Sequence, residues 1–359
     1  MSAPPKKRQY HVVFASPIDI EKTRADAAAG RAPRHFMIAL ADALDARIWT
    51  PTRGAAPLRP VFADRIIGNQ PASIALAEQV VAAAGDGDLI FCNSEGASLA
   101  VAGQLLAVGK KTALAAFGHN LLRPRMTALR LATGIFQRHD AIFTVTPLLA
   151  SMLNDTFKGR PSVHFVREQT DDAFFSPGEA SEKQRSLIMG VGLEQRDYKT
   201  LAAATQDMDA DIKISAFSKD AAAVSRALPD VLPDNMDQRF YEWPALVQLY
   251  RDADIVIAPV FENNYAAGIT TILEGMASGK PVIASRSRGL QNIFSDNNAV
   301  AWVPPGDAHV LRSAITRLLD SSEERRALAA RGSAVFKKDH TFDGQAGALA
   351  KRLREIAPA

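Results

Sequence analysis

A chain of 359 residues exceeds the size at which a single hydrophobic core keeps growing, so two domains are expected. Its residues are 47% hydrophobic and 23% charged, without a low-complexity tract or an apolar run of about 18 residues, which excludes fibrous, disordered and helical membrane-spanning classes. The net charge of +3 conceals an asymmetry: residues 1–170 hold 20 Lys and Arg against 13 Asp and Glu, and residues 171–359 hold 22 against 26.

The chain opens on a polar segment carrying Lys6, Lys7 and Arg8, and Asp19 and Glu21 break the adjoining apolar stretch before it reaches signal-peptide length. The first half reads as short apolar strands at residues 11–15, 46–50, 89–92, 112–117, 141–145 and 163–166. Helical stretches lie between several of them, at 72–84, 96–108 and 148–156. The one cysteine, Cys92, sits in the run Leu89-Ile90-Phe91-Cys92 and has no internal partner, so an inert buried thiol in a reducing, cytoplasmic compartment is expected. Residues 167–184 turn polar around Pro177-Gly178 and read as a linker. The rhythm then repeats, with strands at 186–190, 212–216, 255–258, 282–285 and 299–303. Helices are expected at 198–205, 245–252, 270–278, 308–320, 322–337 and 342–356. Alternation of this kind predicts βαβ units and mainly parallel sheets, an α/β fold.

The basic first half suits an anionic acceptor or an anionic membrane surface, although scattered solvated charge would give the same balance. No nucleic acid partner is expected, since no binding motif or interleaved aromatic residue accompanies the charge.

The segment from Asp252 to Ser285 is the most informative. Asp254-Ile255-Val256-Ile257-Ala258-Pro259 reads as a buried parallel strand, followed by the small, polar loop Glu262-Asn263-Asn264-Tyr265-Ala266-Ala267-Gly268. A helix then starts near Ile269 and Thr270, carries Glu274, and closes at Gly279-Lys280-Pro281. Such an order puts a helix N-terminus at the C-terminal edge of a parallel sheet, where free N–H groups can hold a diphosphate. Gly268 would let phosphates approach the backbone, and the Glu274 carboxylate suits a ribose diol. A pairing of Glu274 with a lysine, or plain solvent exposure, is the competing reading.

The block Glu274-Gly275-Met276-Ala277-Ser278-Gly279-Lys280-Pro281-Val282 resembles the family-4 glycosyltransferases of the GT-B fold. So do Tyr250-Arg251-Asp252-Ala253-Asp254, Val303-Pro304-Pro305-Gly306-Asp307 and Val191-Gly192-Leu193-Glu194-Gln195-Arg196-Asp197-Tyr198. The resemblance covers most of residues 186–340 and is weak over 1–170. It implies two Rossmann-like domains with mainly parallel sheets facing an interdomain cleft: an acceptor domain over 1–170, a linker over 171–184 and a donor domain over 185–340. A C-terminal helix over 341–359 would cross back to the first domain. It also implies a retaining transfer of sugar from a nucleoside diphosphate, UDP rather than GDP, to a hydroxyl of a glycan, lipid-linked or small-molecule acceptor, as in polysaccharide or glycoconjugate synthesis. A setting in the cytoplasm or at the inner membrane face would fit.

The resemblance assigns the ribose to Glu274, the leaving diphosphate to Arg196, and further donor contacts to Gly192, Ala267, Gly268, Ile269 and Thr270. Trp243 would wall the base, with a core role as the alternative. For Arg196 the alternative is a surface pair with Asp197 or Glu194. His119, in Phe117-Gly118-His119-Asn120 after a strand, would stand near the reacting sugar or serve structure only. Arg34, His35, Ser94 and Glu95 are candidates for the acceptor side. No cofactor is expected, and no histidine shows metal-ligand spacing; Asp252-Ala253-Asp254 precedes a buried strand and reads as structural.

Two departures stand out. The first of the family's two glutamates falls on Ala266, and the usual Gly-Arg-Leu at the donor-domain entrance is Gly192-Leu193. The first keeps open a sugar-nucleotide-binding module without transfer activity. A sugar-nucleotide epimerase is the other alternative, though no acid/base carboxylates for it are evident.

Overall fold

The computed structural model describes residues 7–58, 70–119, 121–216 and 226–356. The chain divides into two compact units: Met1–Arg24, His35–Val166 and Ala346–Ala359 form one, and Ala25–Arg34 with Arg167–Gln345 form the other.

In chain order the first part of the fold is β1 (Tyr10–Val13), α1 (Ile20–Ala28), α2 (Phe36–Leu44), β2 (Arg47–Trp49), α3 (Pro71–Ala83), β3 (Leu89–Cys92), α4 (Glu95–Val108), β4 (Ala113–Phe117), α5 (Pro124–Ala132), β5 (Ala141–Thr144), α6 (Pro147–Phe157) and β6 (Ser162–Phe165). The six strands pair in parallel in the order β2-β1-β3-β4-β5-β6. Residues of β3 and β5 are buried throughout, which explains their continuous apolar runs: a parallel sheet is covered on both faces. Ser94 and Thr146 cap α4 and α6 with their hydroxyls, and proline at the first turn starts α3, α5 and α6.

The second part runs β7 (Ser186–Val191), α7 (Tyr198–Thr205), β8 (Ala210–Ser215), β9 (Met236–Gln238), α8 (Trp243–Asp252), β10 (Ile255–Ala258), α9 (Ile269–Ala277), β11 (Val282–Ser285), β12 (Ala301–Val303), α10 (Ala308–Asp320), α11 (Ser322–Asp339) and α12 (Phe342–Glu355). Its parallel sheet has the order β12-β11-β10-β7-β8-β9. The strand sequence therefore reverses direction between β7 and β10, the position where open α/β sheets bind ligands.

Both sheets are as the alternation of elements predicts. Leu349, Ala350 and Leu353 of α12 are buried in one core with Val12, Leu89 and Phe143, so the last helix returns to the first unit. Two features differ from the sequence reading. The polar stretch after β6 is no loose tether, because Asp171 and Phe175 are buried within the second unit. Residues 25–34 also belong to that unit, held by Arg34.

Candidate functional site

The loops that leave β7 and β10 are tied to each other. Arg196 and Val260 form an isolated antiparallel bridge, Asp197 N donates to Pro259 O at 2.9 Å, and Phe261 N donates to Gln195 O at 2.9 Å. This pairing fixes Arg196 at the point where strand order reverses. Its side chain is only 4% exposed. Nε donates to Val191 O (2.8 Å), Nη1 to Glu194 O (2.8 Å) and Nη2 to Thr271 Oγ1 (3.0 Å). Thr271 Oγ1 in turn donates to Val191 O at 3.0 Å.

Every one of these acceptors is neutral. No carboxylate of the described residues lies within ion-pair distance of Arg196. Glu194 offers only its carbonyl, and Asp197 instead caps α7 by accepting from Thr200 N and Oγ1. The surface-pair alternative for Arg196 therefore does not hold. A guanidinium taken out of water without a counter-ion is costly, and an anion supplied by a ligand would offset that cost.

Two left-handed glycines surround it. Gly192 has φ +102° and Gly268 has φ +92°. A Cβ at 192 would collide with Arg196 Nη2, and one at 268 would touch Val260 at 3.1 Å. Gly268 is the N-cap of α9, and no side chain caps the helix, so its leading N–H groups and its dipole add to the positive end of the site. Thr270 is exposed there, whereas Ala267 and Ile269 are buried and could meet a ligand only through their backbone.

Glu274 lies between one and two turns further along α9 and is partly buried. It pairs with no lysine: Tyr250 donates its hydroxyl to Glu274 Oε2 at 2.6 Å. Burial pushes the Glu274 carboxyl up to about 7, against the opposing pulls of the Tyr250 hydroxyl and the Arg196 charge. Thr271, Tyr250 and Tyr198, whose hydroxyl donates to Gly192 O at 2.8 Å, are contacts that the sequence does not single out. Tyr250 stood in a quoted motif, but nothing in the sequence says that its hydroxyl reaches Glu274.

The loop before α9 is held by the segment after β11. Glu262 Oε1 accepts from Arg288 N (2.9 Å), and Gly289 N donates to Asn263 O (2.9 Å). A Cβ at Gly289 would run into the Tyr265 backbone. Glu262 thus ties down its own loop and is no ready replacement for a glutamate at 266. Ala266 is partly buried against the core.

Trp243, at the first position of α8, is 43% exposed and meets Phe174 and Phe175 edge-on, with centroids 6.3 and 6.4 Å apart. It is neither a core residue nor brought by any contact to Arg196. Asp252 accepts from Ser181 N and Gln248, and Asp254 pairs with Lys183 at 2.7 Å.

Within the first unit, His119, Ser94 and Glu95 share the C-terminal edge of the sheet. His119 N approaches Glu95 Oε2 at 3.5 Å, its ring stacks on Phe117 (6.0 Å), and Ser94 caps α4. Asn120, next to His119 in the motif, lies outside the described residues. His35 is the N-cap of α2, where Nδ1 accepts from Met37 N, and it packs on Phe14.

Arg34 is held within the second unit. Its guanidinium is shared between Asp171 (2.8 Å) and Asp343 (2.9 Å) and lies 4.2 Å over the Phe342 ring. It clamps the second unit, with its fork shared between two carboxylates.

A cavity of about 710 Å³ beside β6, lined by Arg160, His164 and Arg352 among others, shares no residue with the predicted sites. Among the described residues no group of three or more metal-ligating side chains occurs, and no helix is long and apolar enough to cross a membrane.

Residues 232–335 match the family model described as Glycosyl transferases group 1. A curated relative is the MMP α-(1→4)-mannosyltransferase of Mycolicibacterium hassiacum, 24% identical over 203 residues, which are 53% of this chain and 48% of that enzyme. The chain thus spans about half the length of that relative. The whole fold is similar to sucrose-phosphate synthase from Thermosynechococcus elongatus, with a TM-score of 0.73, 17% identity, and 97% and 99% of the two chains covered. It is also similar to Anabaena HepE, solved in complex with UDP-glucose, with a TM-score of 0.68, 14% identity, and 97% and 100% covered. The matched stretch contains β9 to α9 and so the Glu274 side of the site. The chain therefore has the GT-B fold, and residues 232–335 of its second unit match the glycosyl transferases group 1 model.

Proposed function

We propose that the chain transfers a sugar from a nucleoside diphosphate, with UDP favoured over GDP, to an acceptor hydroxyl with retention at the anomeric carbon. The observation that carries this reading is the buried Arg196 guanidinium, bound only to neutral acceptors and set between Gly192 and the uncapped start of α9. In the transfer the bond from the anomeric carbon to the diphosphate oxygen breaks and a bond to the acceptor oxygen forms. The acceptor proton passes to a phosphate oxygen of the leaving group. Charge building on the diphosphate is met by Arg196 and the α9 N-terminus, and Glu274 takes the ribose hydroxyls. Such a scheme asks for no side-chain base. The UDP-glucose bound to HepE supports the choice of carrier.

His119 is assigned to the reacting sugar, His35, Ser94 and Glu95 to the acceptor side, and Trp243 to the base. The acceptor is a hydroxyl on a glycan, a lipid-linked sugar or a small molecule. Residues 96–139 hold six Lys and Arg and no Asp or Glu, and Arg123, Arg125 and Leu131 are exposed at α5. That surface supports peripheral contact with an anionic membrane, and the single buried thiol of Cys92 supports a cytoplasmic setting.

Ala266, together with a Glu262 committed to its loop, favours one second reading: a module that binds the sugar nucleotide without transferring the sugar. Incubation with a panel of UDP- and GDP-sugars decides between them. Slow release of free sugar and nucleotide supports the transferase, binding without turnover supports the module, and no binding at all refutes both.

A further inference from the structure

We propose that Tyr250 is a positioning residue for the ribose diol, acting through Glu274. The inference rests on the reading in which Glu274 receives the ribose.

Three observations carry it. Tyr250 is fully buried, and its ring is fixed edge-on against Phe175 at 5.6 Å, so its hydroxyl points in one direction. That hydroxyl donates to Oε2 of Glu274 at 2.6 Å, while Oε1 accepts no protein hydrogen bond among the described residues. Glu274 itself is only partly buried, so the free oxygen can be met from solvent. A carboxylate on a helix has a soft terminal torsion. A strong bond to one oxygen sets the plane of the group, and the other oxygen is then presented in a fixed orientation. Two vicinal hydroxyls donating to one carboxylate need that plane held.

The arrangement also couples nucleotide binding to protonation. An ionised carboxylate accepts both ribose hydroxyls, whereas a protonated one must use a lone-pair site for its own hydrogen. The titratable and charged groups facing Glu274 are Tyr250 on α8 and Arg196 before α7, with Tyr198 of α7 beside them. Both Tyr250 and Arg196 favour the ionised form, and burial opposes them. The Tyr250 phenol is held well above its ordinary range, so it remains a donor throughout. Nucleotide affinity should therefore fall as pH drops through the neutral range, and loss of the Tyr250 hydroxyl should start that fall at higher pH.

The test compares UDP with 2′,3′-dideoxy-UDP by calorimetry across pH 5.5–9, for the wild type, Tyr250→Phe and Glu274→Gln. The expectation for Tyr250→Phe is UDP bound about tenfold more weakly, from the loss of a hydrogen bond to a charged group. Dideoxy-UDP should be unaffected and the midpoint of the pH dependence should move upward. A merely structural role would weaken both ligands alike and leave the midpoint in place. If Glu274→Gln loses the preference for UDP while Tyr250→Phe keeps it with an unmoved midpoint, the role of Tyr250 is overturned and the donor site stands. If Glu274→Gln keeps the preference, the ribose assignment itself fails. Should Tyr250→Phe not fold, 3-fluorotyrosine at this position, a stronger donor of the same shape, must lower the midpoint; an unmoved midpoint overturns the proposal.

Discussion

Arg196 and Gly192 occupy each other's space: the guanidinium lies where the Cβ of any other residue at 192 would stand. The glycine is demanded twice, by that contact and by its φ of +102°. Gly192→Ala is expected to cost about 1–3 kcal/mol in strain and overpacking, and to weaken UDP binding by displacing the arginine. Urea denaturation read alongside a UDP titration checks both effects.

Arg196→Lys should fail to rescue function. An ammonium cannot reach Val191 O, Glu194 O and Thr271 Oγ1 together as the planar fork does. The expected loss in kcat/KM for the donor is on the order of 10²-fold, comparable to removing one preorganised charge donor. Thr271→Val removes only one of the three anchors and should lie between the wild type and Arg196→Lys in steady-state kinetics.

Glu274 is expected to give stability a pH dependence, alongside the one proposed for nucleotide binding. Its folded-state carboxyl is raised to about 7. Its contribution is thus fully present below the unfolded value of about 4.3 and is lost as pH rises through about 7. Glu274→Gln removes the ionisation, so at pH 8 it should be more stable than the wild type by about 1–2 kcal/mol, and near pH 4 the two should converge. Thermal unfolding at the two pH values decides this, and the same variant should bind UDP poorly at both.

The Arg34 clamp makes a contrasting prediction. Asp171 is 3% exposed, and Arg34→Ala would leave it buried without its cation. A loss of about 3–5 kcal/mol is expected, with KM for donor and acceptor unchanged in whatever fraction stays folded. A raised acceptor KM at unchanged stability would return Arg34 to the acceptor side.

The pattern of the chain reveals some of these features, and packing alone reveals others. β3, β10 and β11 are continuous apolar runs closed by turn residues, and their limits are read directly. So are α7 and α10, where Asp197 and Asp307 supply the caps. The elements not singled out are α1, α2, α5 and β9. Helix α1 has no buried residue and β9 has three residues, so neither leaves a strong periodic signal. Gly268, Thr270 and Glu274 lie on one continuous stretch, so the pattern alone suggests a common donor site for them. Tyr250 and Thr271 could not be assigned, since their roles depend on contacts across 24 and 75 residues respectively. The partners of Arg34 lie 137 and 309 residues away and are equally hidden from a local reading.

The second unit is proposed to hold a nucleoside diphosphate through Arg196. Calorimetric titration of UDP and of uridine into the wild type and Arg196→Ala tests it most directly. The wild type should prefer UDP strongly to uridine, and Arg196→Ala should lose on the order of 10²-fold in UDP affinity while its uridine affinity is unchanged. Equal binding of UDP and uridine by the wild type, or undiminished UDP binding by Arg196→Ala, would contradict it.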